Sequence, residues 1–429
     1  MRKYTLRKLA FSILIPAMAL ASCSKDSDNN IGGEPIVTPD PDDPSETVDG
    51  LFTSAEAFDY LKNTASEAIS LFNPEDQREV LQACKNFIEQ YGDFDMPEEF
   101  GNDAYYSPGY YVKALKKAMG KGSPLDMTRA YYTYSIKDYT GVYEPNLRTG
   151  CWERTGNSND VVFLCKVNGQ DFEIKAAPSN GTWVLELVDN YEIPLSVTTT
   201  LTYGGKKLAS TVVESKYDQR GHKASLKISA QAANIAVSTD LDGDDSHLTE
   251  KAYATVDGKC LIDATMTVKG NNLCDMDAYA SLEDAGPAQL EAMFKSATFS
   301  VNILDRVFFN GSGSNIVKLT DAFGFYGDQS DGSRKEVVNE CRKACNVIED
   351  NLKAEVKFAG SNEVQGRLVF EPYVYEYGSY WEVYPAPGIE YAYDKSIEIF
   401  EDTDYDFSVV EAQFRNLLER YRNFCNRLR

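Results

Sequence analysis

Hydrophobic positions along this chain change their period twice. Between Ser54 and Phe72, the residues Phe58, Leu61, Ala65, Ile69 and Phe72 recur near helical spacing. A second helix is predicted from Asn73-Pro74-Glu75. That triplet offers a capping side chain, a proline for the first turn and an acid for the positive end of the helix dipole. Its apolar stripe is Val80, Leu81, Cys84, Phe87, Ile88 and Tyr91, and Gly92 is a natural stop. A third helix starts at Ser107-Pro108 and runs to Met119. Together these segments predict a small helical N-terminal subdomain over 51–129.

From 130 to 285 the pattern alternates with a period of two, as in strands. Asn168-Gly169, Gly204-Gly205 and Asp257-Gly258 are dipeptides suited to tight hairpin turns. Two of them sit in a weak internal repeat. The stretch Thr202 to Leu208 aligns with Thr255 to Leu261 at an offset of 53 residues, and a Thr/Val-rich run follows each. One strand-hairpin unit used twice predicts a large antiparallel sheet of long hairpin strands, with one face packed.

The remainder, 286–429, mixes both periods and packs helices on one side of that sheet. Pro287 to Phe309 reads as a helix through Leu290, Phe294, Val301, Leu304 and Phe308. Ser333 and Glu336 form a capping box for a helix to Leu352, and Ser408 with Glu411 form another for the last helix. Phe358 to Tyr377 and Ile389 to Phe400 read as strands, and Gly311 to Asn315 as a loop. The fold class expected is α+β.

The first residues have a different character. Arg2, Lys3, Arg7 and Lys8 precede an apolar run from Leu9 to Leu20. Its 12 residues fall short of the about 20 needed to span a bilayer, as in a secretory signal. The run ends in Leu20-Ala21-Ser22-Cys23, which resembles the lipobox of bacterial lipoproteins. The resemblance implies a signal peptide over 1–22, cleavage before Cys23, and acyl chains on Cys23 that anchor the protein to a membrane. Ser22 departs mildly from the glycine or alanine commoner there. The polar, acidic tract Ser24 to Asn30 resembles the surface-export signal of Bacteroidetes lipoproteins, which implies an outer-membrane location facing the extracellular side. Residues 23–50, with Pro35, Pro39, Pro41 and Pro44 among aspartates, predict an extended acidic stalk reaching about 90 Å. The layout as a whole is similar to that of uncharacterised surface lipoproteins of that group, a resemblance that implies no activity.

Charge narrows the partners. The formal charge of −23 becomes −27 once the signal is removed, which argues against nucleic acid and against docking on anionic lipid. Eight cysteines remain besides Cys23. Cys151 with Cys165 and Cys260 with Cys274 are candidate bridges between neighbouring strands, while Cys84, Cys341 and Cys345 lie on apolar helix faces as buried thiols would.

Catalytic signatures are sparse. His222 and His247 are the only histidines, both in polar turns, and no G-x-S-x-G elbow accompanies them. Asp240, Asp242, Asp244 and Asp245 suggest calcium, but the positions where an EF-hand carries Gly and Glu hold Asp245 and Lys251. Catalytic residues, metal and cofactor are accordingly none. Glu371, Glu376 and Glu382 lie among aromatics and are the acids a carboxylate-based hydrolase would use. Tyr373, Tyr375 and Tyr377 alternate along one strand, so their rings share a side, and Trp381 follows closely. A ladder of rings stacks on sugar faces, although tyrosines also pack under helices. A second cluster is Tyr105, Tyr106, Tyr110 and Tyr111. The leading expectation is a non-catalytic binding or scaffolding protein with glycan as the ligand class. A carrier of lipid or another hydrophobic ligand in a curved sheet is the alternative, and a hydrolase the third.

Overall fold

Two-residue turns bearing glycine occur at Asn168-Gly169, Gly204-Gly205, Asp257-Gly258 and Gly378-Ser379. A computed structural model describes residues 50–95, 133–186, 190–275, 278, 287–400 and 408–427. The expected signal, Cys23, the expected stalk before Gly50, the helix predicted from Ser107 to Met119 and the tyrosines at 105, 106, 110 and 111 lie outside the described residues.

The described helices are α1 (Ser54–Ser70), α2 (Arg78–Tyr91), α3 (Pro287–Met293), α4 (Ile316–Phe323), α5 (Arg334–Asn351) and α6 (Ser408–Arg427). The strands open with β1 (Thr133–Ser135), β2 (Gly141–Asn146), β3 (Cys151–Gly156), β4 (Val161–Val167) and β5 (Gln170–Pro178). Next come β6 (Thr182–Glu186), β7 (Asn190–Pro194), β8 (Ser196–Tyr203), β9 (Lys206–Asp218) and β10 (Lys223–Ala232). Then follow β11 (Ile235–Gly243), β12 (His247–Val256), β13 (Lys259–Gly270), β14 (Phe294–Ile303) and β15 (Val307–Ser314). The last are β16 (Gly327–Asp328), β17 (Leu352–Phe358), β18 (Gly366–Tyr377), β19 (Tyr380–Tyr391) and β20 (Ile397–Ile399). The protein is α+β with strand predominating, and its large sheet is mixed. A purely antiparallel sheet is excluded, because β2 pairs antiparallel with β3 but parallel with β4.

The chain groups into two compact units, neither continuous in sequence. Of the described residues, one takes in those from Gly50 to Phe72, Cys260–Val268 and Phe294–Leu418; the other takes in those of Asn73–Lys259, Lys269–Met293 and Glu419–Arg429.

In the second of these, β5, β8, β9, β10, β11 and β12 run in meander order. Asn168-Gly169 and Gly204-Gly205 turn two of the hairpins with positive φ, as their sequence predicts. The helix α2 begins one turn later than expected, since Asn73 Oδ1 accepts from Glu75 N and Gln77 N closes a turn on Pro74. Ala83 is buried, and Phe87 stacks on Phe172 of β5 with ring centroids 4.5 Å apart. Ile88, expected in the stripe, is 63 % exposed, because α2 meets the core along Val80, Ala83, Phe87 and Tyr91. A small sheet of β1, β7 and β6 covers part of β9, where Trp183 Nε1 donates to Ser215 Oγ at 3.3 Å in the interior.

The other unit begins with α1, whose capping box joins Thr53 and Glu56. Its buried residues include Ala57, Phe58 and Leu61, and Phe52 and Tyr60 pack with Phe358 of β17. The predicted helix Pro287 to Phe309 is corrected, its first part falling in the unit described above. Helix α3 stops at Met293, and Ala297, Phe299 and Val301 alternate inward along β14. Leu304 and Asp305 then turn the chain into β15 with φ of 55° and 56°. Gly311 to Ser314, expected as a loop, belongs to β15, which lies between β14 and β17. Gly311 is needed there: a Cβ would lie 2.3 Å from the Phe299 ring and 2.6 Å from the Lys353 carbonyl. Helix α5 carries the predicted capping box of Ser333 and Glu336 and buries Val337, Cys341, Cys345 and Ile348.

Candidate functional site

The site is built on the hairpin of β18 and β19, turned by Gly378 and Ser379. Its register places Tyr373 opposite Tyr384, Tyr375 opposite Glu382, and Tyr377 opposite Tyr380. Residues opposite one another in an antiparallel pair share a face. The tyrosines of β18 therefore lie on one side together with Tyr380, Glu382 and Tyr384. The rings of Tyr373 and Tyr384 are 5.8 Å apart and tilted by 54°. Trp381 stands opposite Glu376, so it belongs to the other face of the hairpin and does not extend the tyrosine row.

The short strand β16 adds two residues that sequence reading missed. Asp328 pairs with Glu382 and Gly327 with Val383, and a Cβ on Gly327 would lie 2.4 Å from Val337 of α5. With Gly327 closed against α5, Asp328 and the preceding Tyr326 flank the tyrosine face. Tyr326 donates its hydroxyl to Glu382 Oε2 at 2.7 Å, and its oxygen lies 2.8 Å from that of Tyr380. Tyr380 in turn reaches Asp328 Oδ2 at 3.4 Å. A continuous chain of hydroxyls thus joins two carboxylates.

Electrostatics assign the protons. The bonds of Tyr326 with Tyr380 and then with Glu382 push the Tyr326 phenol above its ordinary pKa, so it remains a donor. The Ser330 hydroxyl and backbone N–H hold Asp328 below the usual carboxylate range, so it stays ionised. Tyr377 is 76 % exposed and Tyr326 is 53 % exposed, while Tyr373, Tyr375 and Tyr384 are half-buried.

Of the three acids singled out from sequence, Glu382 stands within the tyrosine row, Glu371 lies further along the same side of β18, and Glu376 belongs to the other side. Glu371 is paired with Arg342 and Glu376 with Arg334, both arginines coming from α5.

Elsewhere the candidate chemistry disperses. His222 Nδ1 lies 2.7 Å from Asp245. At His247, Nδ1 lies near both Ser246 Oγ, at 3.2 Å, and Asp244 Oδ1, at 3.0 Å. A serine and an aspartate sharing one ring nitrogen cannot relay a proton through the imidazole. Asp240 stands between Lys227 and Lys251 in the sheet, away from the turn that holds Asp244. Among the described residues no group of three metal-ligating side chains gathers. Seven described cysteines are free. Cys151 pairs with Asn146 and Cys165 with Phe172, and neither candidate bridge, Cys151 with Cys165 or Cys260 with Cys274, forms. Burial pushes the thiols of Cys165 and Cys274 up to about 12 and about 11, far from thiolate formation at neutral pH.

No family model, curated protein or solved structure matches this chain.

Proposed function

We propose that this protein is a lipid-anchored component of the outer membrane, facing the extracellular side, that binds a glycan without turning it over. The observation that carries the reading is the gathering of six tyrosines and two carboxylates on one face around the Tyr326, Tyr380 and Glu382 hydrogen bonds. Tyrosine rings stack on the apolar faces of sugars, while phenol and carboxylate groups bond to sugar hydroxyls. The anchor rests on the lipobox resemblance at Leu20 to Cys23. No described helix is long and apolar enough to cross a membrane. Binding is favoured over hydrolysis because a carboxylate mechanism requires one acid held protonated. The Ser330 contacts hold Asp328 below the usual carboxylate range, so it is not such an acid.

Affinity electrophoresis of the full chain, purified from membranes, through gels containing individual polysaccharides tests this. Retardation by at least one polysaccharide, lost in Tyr375→Ala and Tyr377→Ala, is the expected result. Retardation by none, or retardation the two variants leave unchanged, would overturn the reading.

A second reading, a carrier of hydrophobic ligand, has one observation in its favour. Leu226, Ile228, Val237 and Leu241 share a face of β10 and β11, yet none is fully buried, and Val237 is 46 % exposed. Native mass spectrometry decides it: a retained mass matching a lipid supports a carrier, and a bare polypeptide mass removes the idea.

A further inference from the structure

Resting on the assignment of the tyrosine face to a glycan, we infer that its ligand is an amine-bearing glycan, whose ammonium groups meet Glu382 and Asp328 between flanking tyrosine rings. The register draws the pattern. One row across three strands reads Asp328, Glu382, Tyr375. On one side of it lie Tyr384 and Tyr373, and on the other Tyr380 and Tyr377. A carboxylate row is therefore bordered on both sides by aromatic rings.

Between Tyr373 and Tyr377 the hairpin places no basic residue on this face; Arg367, eight positions before Tyr375 on the same side of β18, is paired with Glu390. Arg334 and Arg342 project from α5 and are engaged by Glu376 and Glu371. The partners of the two site carboxylates are hydroxyls and backbone N–H groups: Tyr326 for Glu382, and Ser330 and Tyr380 for Asp328. Neutral donors satisfy lone pairs but leave the negative charge in place. A uronate or sulfated sugar would bring like charge against two carboxylates. An ammonium would gain charge-assisted hydrogen bonds to them and attraction to the ring faces.

The spacing favours a glycan over an isolated cation. Tyr373 to Tyr377 spans about 14 Å at the rise of an extended strand, the length of a short oligosaccharide. With the Tyr326 proton given to Glu382, the Tyr380 hydroxyl 2.8 Å away is the donor of that pair, a relay of the kind sugar hydroxyls make.

The test uses isothermal titration of the full chain in mildly acidic buffer of low ionic strength. Its probes are a glucosamine hexamer, the N-acetylglucosamine hexamer with the same backbone, a galacturonate hexamer and hexalysine. The glucosamine hexamer is expected to bind at least tenfold more tightly than its acetylated counterpart, and galacturonate not at all. Glu382→Gln and Asp328→Asn should each shrink that ratio several-fold, and Tyr375→Ala should weaken both hexosamines. A ratio near one, preference for galacturonate, or a ratio unchanged in Glu382→Gln would overturn the inference while Tyr375-dependent binding kept the glycan reading. If Tyr375→Ala leaves every probe unaffected, the glycan reading itself fails. Hexalysine bound as tightly as glucosamine through Tyr375 would reassign the face to a cationic peptide.

Discussion

The hydroxyl of Tyr391 donates to the carboxylate of Glu398, and the two side chains are only 2 % and 4 % exposed. The second oxygen of Glu398 has no hydrogen-bond partner. Burial raises the carboxyl to about 7, against the opposing pull of Tyr391 and Lys62. A carboxyl whose folded pKa exceeds its ordinary value of 4.5 contributes most stability below that value. That contribution is lost as pH rises to about 7. Chemical denaturation of the full chain should show stability falling over this window and levelling above it. Glu398→Gln should remove the fall, which is worth about 3 kcal/mol. A wild-type profile that is flat between these two values would contradict the assignment.

Gly311 supports a different expectation. Its missing Cβ is where the Phe299 ring and the Lys353 carbonyl meet. Gly311→Ala should cost about 1–3 kcal/mol through overpacking. Adding Phe299→Leu should recover part of that loss, since a smaller side chain yields the space. Thermal melts of the two single variants and the double variant give the coupling directly.

Trp183 joins the small sheet to β9 through Ser215 in the interior. Trp183→Phe keeps most of the apolar bulk but strands a buried hydroxyl. It should lower stability by about 1–3 kcal/mol, and Trp183→Phe with Ser215→Ala should recover much of it.

Trp381 and Tyr375 should separate in binding experiments. They lie on opposite faces of one hairpin. Removing the Tyr375 ring should weaken glycan binding by up to about tenfold, the scale of one aromatic contact, whereas Trp381→Ala should leave it within twofold. Equal losses in both variants would mean that the ligand does not use the face described.

Parts of this architecture can be read locally. The capping box at Ser333 and the turns at Asn168-Gly169 and Gly204-Gly205 depend on neighbours in sequence, and they form as expected. The segment from Phe294 to Phe308 misleads because its apolar residues fit helical spacing as well as strand alternation. The turn that would separate the readings uses Leu304 and Asp305 in left-handed backbone without a glycine. Tyr373, Tyr375 and Tyr377 share a side by strand period alone. The side of Trp381 follows from the two-residue connection Gly378-Ser379, a signal present in the sequence. Tyr326 and Asp328 carried no such signal. They reach the face through a two-residue strand whose partner lies more than fifty positions away, and non-local pairing leaves no mark on composition.

The contacts of Gln365 set an order of events. This side chain, 2 % exposed, donates to the Gly50 carbonyl at 3.0 Å and accepts from Phe52 N at 2.9 Å. Besides its local bonds to Ser361 and Glu363, it thus has two partners that precede it by 315 and 313 residues. A chain synthesised N-terminus first presents Gly50 and Phe52 long before Gln365 exists. These residues must wait with their polar groups in water until nearly the whole sequence has appeared. Closing so long a loop makes assembly of this unit slow in the manner of high contact order. Gly50 and Phe52 are made early and are among the last groups of this unit to settle.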